Sequence, residues 1–262
     1  MKYTRGDTVV GFEKLWFLQK RHAARYASTQ VESPLDQNPS HSLYELAVKP
    51  ILALLDQPST SSDYSFYQSI TRPEDREHMV QRLVFADAQN YINPTDFIQR
   101  NIHFFTPPLV EALAATVPAL KLHKIPLQFP DTVSKGIITS LSQLLTDIDP
   151  KKWGGDGIRG SLAYMVSRGV KEVIRTSQGD IAIGENGMGE EMKALKLKLE
   201  KGWVKLIHQY LRWALVAGKP GPDSALTMEL LGYEETGRRL AAAEEVLNGL
   251  KSDNVDGETQ QV

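Results

Sequence analysis

Apolar residues recur at helical rather than strand spacing along most of this chain, and the longest run is Glu190–Trp213. At 100° per residue, Met192, Leu195, Leu199, Trp203, Leu206, Tyr210 and Trp213 fall within an arc of roughly 80°. Lys198, Lys201, Lys205 and Arg212 fall within about 60° on the opposite side. The spacing therefore predicts a helix with one face for packing and one line of cations. Phe12–Tyr26 is also amphipathic: Leu15, Trp16, Leu18 and His22 or Ala23 share a side, while Lys14, Lys20, Arg21 and Arg25 add positive charge. Ser42–Leu55 places Leu43, Leu46, Ala47, Ile51, Leu54 and Leu55 inward, with Pro50 kinking that helix or opening a new one. Thr71-Arg72-Pro73-Glu74 predicts a capping-box start for a helix to about Tyr91, with Met79, Leu83, Phe85 and Ala86 inward. Asn93-Pro94 opens a helix over Thr95–Phe105, and Pro107-Pro108 opens one to Val117. Asp131 or Thr132 caps a fourth, whose stripe is Ile137, Ile138, Leu141, Leu144, Leu145 and Ile148. Antiparallel helices joined by short proline-marked turns suggest a bundle. No hairpin turn lies between alternating apolar runs, so the expected fold class is all-α.

Glycine and proline divide the rest. Ser28–Ser40 reads as a linker, and Ile181–Gly189 as a glycine-rich flexible loop. Lys151–Gly160, KKWGGDGIRG, lacks the Gly-Lys-Ser/Thr of a phosphate-binding loop and is read as a joint between subdomains, anchored by Trp153. Leu211–Leu240 reads as a helix end, a Gly/Pro loop, a short helix, a one-glycine stop and another helix. Asp223 or Ser224 caps the short helix, Leu226, Leu230 and Leu231 are left for burial, and Gly232 suits a left-handed C-cap. The segment from Lys251 is polar and expected to lack structure. Four regions follow: 1–41, a helix and linker; 42–150 and 151–250, two helical subdomains; and 251–262, a disordered tail.

The 262 residues are 41% hydrophobic and 24% charged, a balance that suits a folded domain rather than a disordered chain. No apolar run reaches the ~20 residues of a membrane span, and the opening MKYTRGDTVVGFEK has no signal-peptide core or Arg/Ser-rich leader. With no cysteine and no paired histidine motif, disulfides, thiolate chemistry and a histidine metal site are not expected. A stand-alone enzyme finds no support either, since no GxSxG elbow is present. The net charge of −2 means that any nucleic-acid partner must meet locally segregated cations.

The order Leu211, Arg212, Ala214, Leu215, Gly218, Gly221, Pro222, Glu229–Gly232, Glu234, Glu235, Arg239 and Leu240 resembles the last segment of bacterial-type and organellar glutamyl-tRNA synthetases. Tyr210 stands where that family usually has Pro, and Ala214–Gly218 is one residue longer than the family's Ala-Leu-Thr-Gly. Phe12, Lys14, Leu15, Trp16, Leu18 and His22 resemble the segment after the family's KMSKS loop, with Gln19 in place of Asn.

The resemblance implies a class I synthetase anticodon-binding type of fold, covering the stem-contact and anticodon-binding portion. Neither a HIGH-like nor a KMSKS-like motif occurs, so this chain is not expected to form an adenylate alone. No cofactor is expected in it; ATP would bind a catalytic domain that is encoded separately or missing. The implied partner is the anticodon arm of glutamate tRNA, in mitochondria by resemblance and otherwise in the cytoplasm. Gly221 and Pro222 carry a base-contact role, with Lys219 beside them. Arg212, Arg238, Arg239, Lys198, Lys201 and Lys205 are further tRNA-binding candidates, as are Arg100 and Arg82 on the earlier helices. The competing expectation is a helical protein-interaction scaffold with no RNA role.

Overall fold

Every regular element among the described residues is helical, as the apolar spacing requires. The structure, a computed structural model, describes residues 43–57, 63–118, 148–178 and 189–256. The chain divides into two compact units, Met1–Thr106 and Pro107–Val262. That division precedes the 150/151 boundary expected from the glycine-rich joint. The reason is a helix, Val110–Ala115, that packs on the C-terminal helix of the second unit. The helices expected at 12–26 and from Asp131 to Ile148, the linker 28–40 and most of the loop 181–189 lie outside the described residues.

The first unit begins with a π-helical turn, Tyr44–Val48, that runs into α1 (Lys49–Leu55). Pro50 explains the turn. Its nitrogen has no proton to offer the carbonyl of Leu46, and its ring crowds that position. The Lys49 N–H reaches back to the Tyr44 carbonyl, and the Leu46 carbonyl accepts the Tyr91 hydroxyl at 3.1 Å. Burial pushes the pKa of that hydroxyl up to about 12, so it remains a donor. The wider turn also rotates the buried stripe. Leu43, Ala47, Val48, Ile51 and Leu55 are inside, whereas Leu46, expected inside, is 43% exposed and Leu54 is only half-buried.

After α2 (Ser65–Ser69) comes α3 (Pro73–Asp87). Its N-cap is Arg72, not Thr71: Pro73 takes the first helical position and holds Arg72 extended (φ −91°, ψ 128°). No capping box forms, and the Arg72 guanidinium instead pairs with Asp75 at 2.8 Å. The inward residues are Met79, Val80, Leu83, Val84 and Asp87, while Phe85 is half-buried and Ala86 exposed. Asn93 caps α4 (Pro94–Arg100) by accepting the Asp96 N–H at 2.9 Å, as expected. That helix stops at Arg100, five residues before the expected end, and a 3₁₀ turn follows at Ile102–Phe104. Buried Asp87 accepts from Asn90 and Asn101 and pairs with Arg100, which ties the end of α3 to α4.

The second unit consists of α5 (Val110–Ala115), α6 (Gly155–Gln178), α7 (Glu190–Val216) and α8 (Ser224–Asp256). A 3₁₀ turn at Pro150–Lys152 precedes α6. The segment read as a glycine-rich joint is partly helix, because α6 already starts at Gly155. Its buried Ile158, Leu162, Met165, Val170 and Val173 recur at helical spacing and outweigh the low propensity of the glycines. Trp153 is half-buried, donates to the Met228 carbonyl at 3.3 Å and meets the Tyr233 ring edge-on.

α7 buries the stripe expected of it. Leu199, Trp203, Leu206, Tyr210 and Trp213 are at most 2% exposed, and Met192 and Leu195 are partly covered. Its last turns are buried on more sides, taking in Ile207, Leu211, Ala214, Leu215 and Val216. α6 and α7 are antiparallel: Gly169 lies against Trp203, while Arg159 near the start of α6 approaches Asp223 beyond the end of α7. A Cβ at Gly169 would lie 2.7 Å from the indole ring, so only glycine allows this approach. The Trp213 indole donates to the Leu113 carbonyl at 2.9 Å, which supplies a partner for one of the last carbonyls of α5.

α8 bends at Gly232, whose φ is 78° and ψ 170°. The positive φ was expected, but the region differs. It is extended rather than left-handed helical, so the chain changes direction instead of closing a C-cap. The helix then continues to Asp256, well into the segment from Lys251 expected to lack structure.

Candidate nucleic-acid interface

The site built around Leu211–Leu240 begins where α7 ends. Ala217 adopts the left-handed conformation (φ 50°, ψ 39°), and Gly218 follows at φ 76°. The Ala217 N–H bonds to the Arg212 and Trp213 carbonyls, the Gly218 N–H to Arg212 and the Lys219 N–H to Val216. The Leu215 carbonyl takes its donor from Arg239 Nη1 at 2.6 Å. The orphan carbonyls of the helix end are thus supplied from the loop and from α8.

Between the helices, Lys219, Pro220 and Gly221 are exposed and Pro222 is half-buried. Asp223 is the cap: one carboxylate oxygen accepts the Ala225 and Leu226 N–H groups at 2.9 and 3.0 Å. Its occupancy of those donors closes the N-terminus of α8 to an outside anion. Arg212 reaches the Pro222 carbonyl at 3.5 Å, the long limit of a hydrogen bond, so it props the loop. The notch lined by Arg212, Lys219, Gly221, Pro222, Ser224 and Thr227 holds about 10 Å³, room for no more than a water. A base meeting Gly221 and Pro222 would have to rest on the rim. His208 Nδ1 and Ser224 Oγ are 2.8 Å apart at the foot of the loop, and burial lowers the imidazole's pKa below its ordinary value.

The nine candidate residues of the second unit do not form one site. Lys198, Lys201 and Lys205 are exposed along α7 and have no ion-pair partner among the described residues. They rise by about 4.5 and 6 Å along the axis. Arg238 is exposed but pairs with Glu235. Arg239 is a correction. It is 3% exposed, donates from Nε to Glu235 at 2.7 Å and holds the Leu215 carbonyl, so it is unavailable to phosphate. Arg100 and Arg82 belong to the other unit; Arg100 is bound to Asp87, and Arg82 is half-buried and also engaged.

The outer side of α6 was missed. Tyr164, Arg168 and Lys171 are exposed at i, i+4 and i+7, but the glycines nearby drew attention from a helix whose period was already legible. In the first unit, an open cleft of about 440 Å³ is lined by Asp56, Tyr67, Arg76 and Glu77. Arg76 is bonded to the Ile70 and Gln68 carbonyls, and the Tyr67 hydroxyl to Asp56, so these groups hold the cleft together. Burial, and then Asp56, raise the Tyr67 pKa above that of an ordinary phenol. Among the described residues no three His, Asp or Glu side chains converge on a metal position, and no helix is long and apolar enough to cross a membrane.

Comparisons of the chain with protein-family profiles, with curated proteins and with solved structures found no match. The reading of the site therefore rests on its own geometry and on the resemblance of Leu211–Leu240.

Proposed function

We propose that the second unit binds RNA, and that its partner is the anticodon arm of a glutamate tRNA. On this reading the chain is the C-terminal part of a glutamate–tRNA ligase whose adenylate chemistry is carried by another polypeptide segment. The observation that carries the reading is the line of Lys198, Lys201 and Lys205, exposed and without carboxylate partners on the side of α7 opposite its core. Free cations at regular rise suit a phosphate backbone, and they sit on a helix made rigid by burial of its other face. Lys219 extends the cationic surface onto the loop, where Gly221 and Pro222 offer a rim for a splayed base.

Filter binding of glutamate tRNA at two salt concentrations tests this. The wild type should bind with a steep salt dependence. The triple variant Lys198→Gln, Lys201→Gln, Lys205→Gln should reduce the log–log slope by about 2, given roughly 0.7 counterion per phosphate contact on single strands. Absence of binding at low salt ends the RNA reading. Gly221→Glu combined with Pro222→Ala tests the loop separately, because unchanged affinity would remove it from the site.

A second reading, a protein-binding scaffold, is favoured by Leu197 (53% exposed) and Val204 (42% exposed), which lie among the same lysines. An acidic amphipathic helix would complement that mixture. It predicts that the wild type does not bind glutamate tRNA even at low salt.

A further inference from the structure

We infer that His208 is a titratable rung of the cationic line on α7, so that protonating its imidazole adds a phosphate contact and tightens RNA binding as pH falls. This inference rests on the RNA-binding reading and adds to that site a residue whose charge is conditional.

The placement of His208 on the helix carries the argument. On the wheel of α7 it falls with Lys198, Lys201 and Lys205 within about 80°, opposite the buried Leu199, Trp203, Leu206 and Tyr210. It stands about 4.5 Å along the axis beyond Lys205, which continues the rise of the three lysines. It is also the last exposed residue of α7, because Arg212, next along that side, is half-buried and reaches the Pro222 carbonyl. Without His208 the exposed cations of the helix end at Lys205, short of the loop. His208 meets the end of that loop directly, with Nδ1 2.8 Å from Ser224 Oγ.

The serine holds the ring in either charge state. Its hydroxyl can donate to a neutral Nδ1 or accept from a protonated one, so protonation adds charge without releasing the side chain. Nε2, on the other edge of the ring, has no partner among the described residues and can offer its N–H to a phosphate oxygen. Partial burial of the ring, the largest influence, lowers its pKa below the ordinary value; Asp223 raises it and Arg212 lowers it. Asp223 is itself occupied, with one oxygen capping α8 and the other 3.9 Å from Arg159. Lys205, on the same face, is a further like charge. At neutral pH the free protein therefore carries an uncharged His208. A phosphate beside Nε2 favours the charged form and raises the pKa in the complex. With the bound pKa above the free one, the added affinity is complete below the free pKa and is lost as pH rises through the bound one.

The test is filter binding of glutamate tRNA to the full chain between about pH 5 and about pH 8, at two salt concentrations. Wild-type affinity should rise about 3- to 10-fold toward acid pH, and its log–log salt slope should steepen by about 0.7. His208→Gln keeps a hydrogen-bonding group beside Ser224 and should remove that gain. His208→Lys carries a fixed charge and should bind at the acid-pH strength throughout, which separates a role for charge from one of bracing the loop. A magnetic-resonance titration of the His208 ring should give a higher pKa with RNA than without. Circular dichroism at each pH checks folding, which these changes at an exposed position should leave unaltered. If wild type and His208→Gln gain equally on acidification, while the α7 lysine triple loses affinity, His208 lies outside the site and the RNA reading survives. If the wild type binds no RNA at any of these pH values, both are overturned.

Discussion

Gly232 offers a substitution whose cost is almost purely conformational. No atom lies within 4 Å of where an added Cβ would go, so no clash contributes. Its φ of 78° with ψ of 170° is nevertheless a region reserved for glycine. Gly232→Ala should therefore lower stability by about 1–3 kcal/mol in urea titration without altering the slope. Glu235 and Arg239 concern charge. Both are at most 3% exposed, and burial pulls the arginine's pKa below its ordinary value while the Glu235 bond pulls it back up. Arg239→Ala takes one of two partners from the buried Glu235 carboxylate, leaving it only the exposed Arg238, and should cost up to about 3–5 kcal/mol. Pairing Arg239→Met with Glu235→Leu should recover most of that loss. It should fall short by roughly 1–3 kcal/mol for the Leu215 carbonyl left without its donor. A cost under about 1 kcal/mol for the single change would show that the pair is not desolvated.

Among elements, the π-turn before α1 links two distant positions. The Tyr91 hydroxyl serves the carbonyl that Pro50 cannot. Tyr91→Phe should cost about 1–3 kcal/mol by thermal or urea unfolding. The same change made together with Pro50→Ala should cost less, because an amide at 50 can serve Leu46 itself; equal costs in the two backgrounds would refute the link. Here the limits of reading by period are plain. A regular 3.6-residue repeat assigned Leu46 and Leu54 to the interior, and a single wide turn moved the stripe onto Val48. Thr71 looked like a cap because the local motif matches, yet the backbone demanded by Pro73 moved the cap to Arg72. By contrast the main stripe of α7 was legible, since twenty-seven residues of unbroken helix average out local exceptions, although the extra burial of its last turns was not.

For the whole molecule, the division at Thr106 has a spectroscopic signature. Trp153, Trp203 and Trp213 all lie in the second unit. With Trp16→Phe in place, tryptophan fluorescence reports that unit alone, while far-ultraviolet circular dichroism reports both. The two urea transitions should not coincide, because each unit carries its own core. Superimposable curves would mean one cooperative structure. The boundary was not visible in the sequence because it depends on where α5 packs, a tertiary choice that six residues cannot announce. The candidate site was legible to the same extent. The exposed lysines follow from the wheel of α7, but the burial of Arg239 depends on α8 folding back onto the end of α7.

The close seat of Gly169 on the Trp203 ring has a mechanical meaning. Sliding α6 along α7 by one turn in either direction would bring Met165, Val166, Glu172 or Val173 to the indole, and none of them leaves room for it. The indole thus works as a detent that arrests α6 and α7 at one notch of their sliding coordinate.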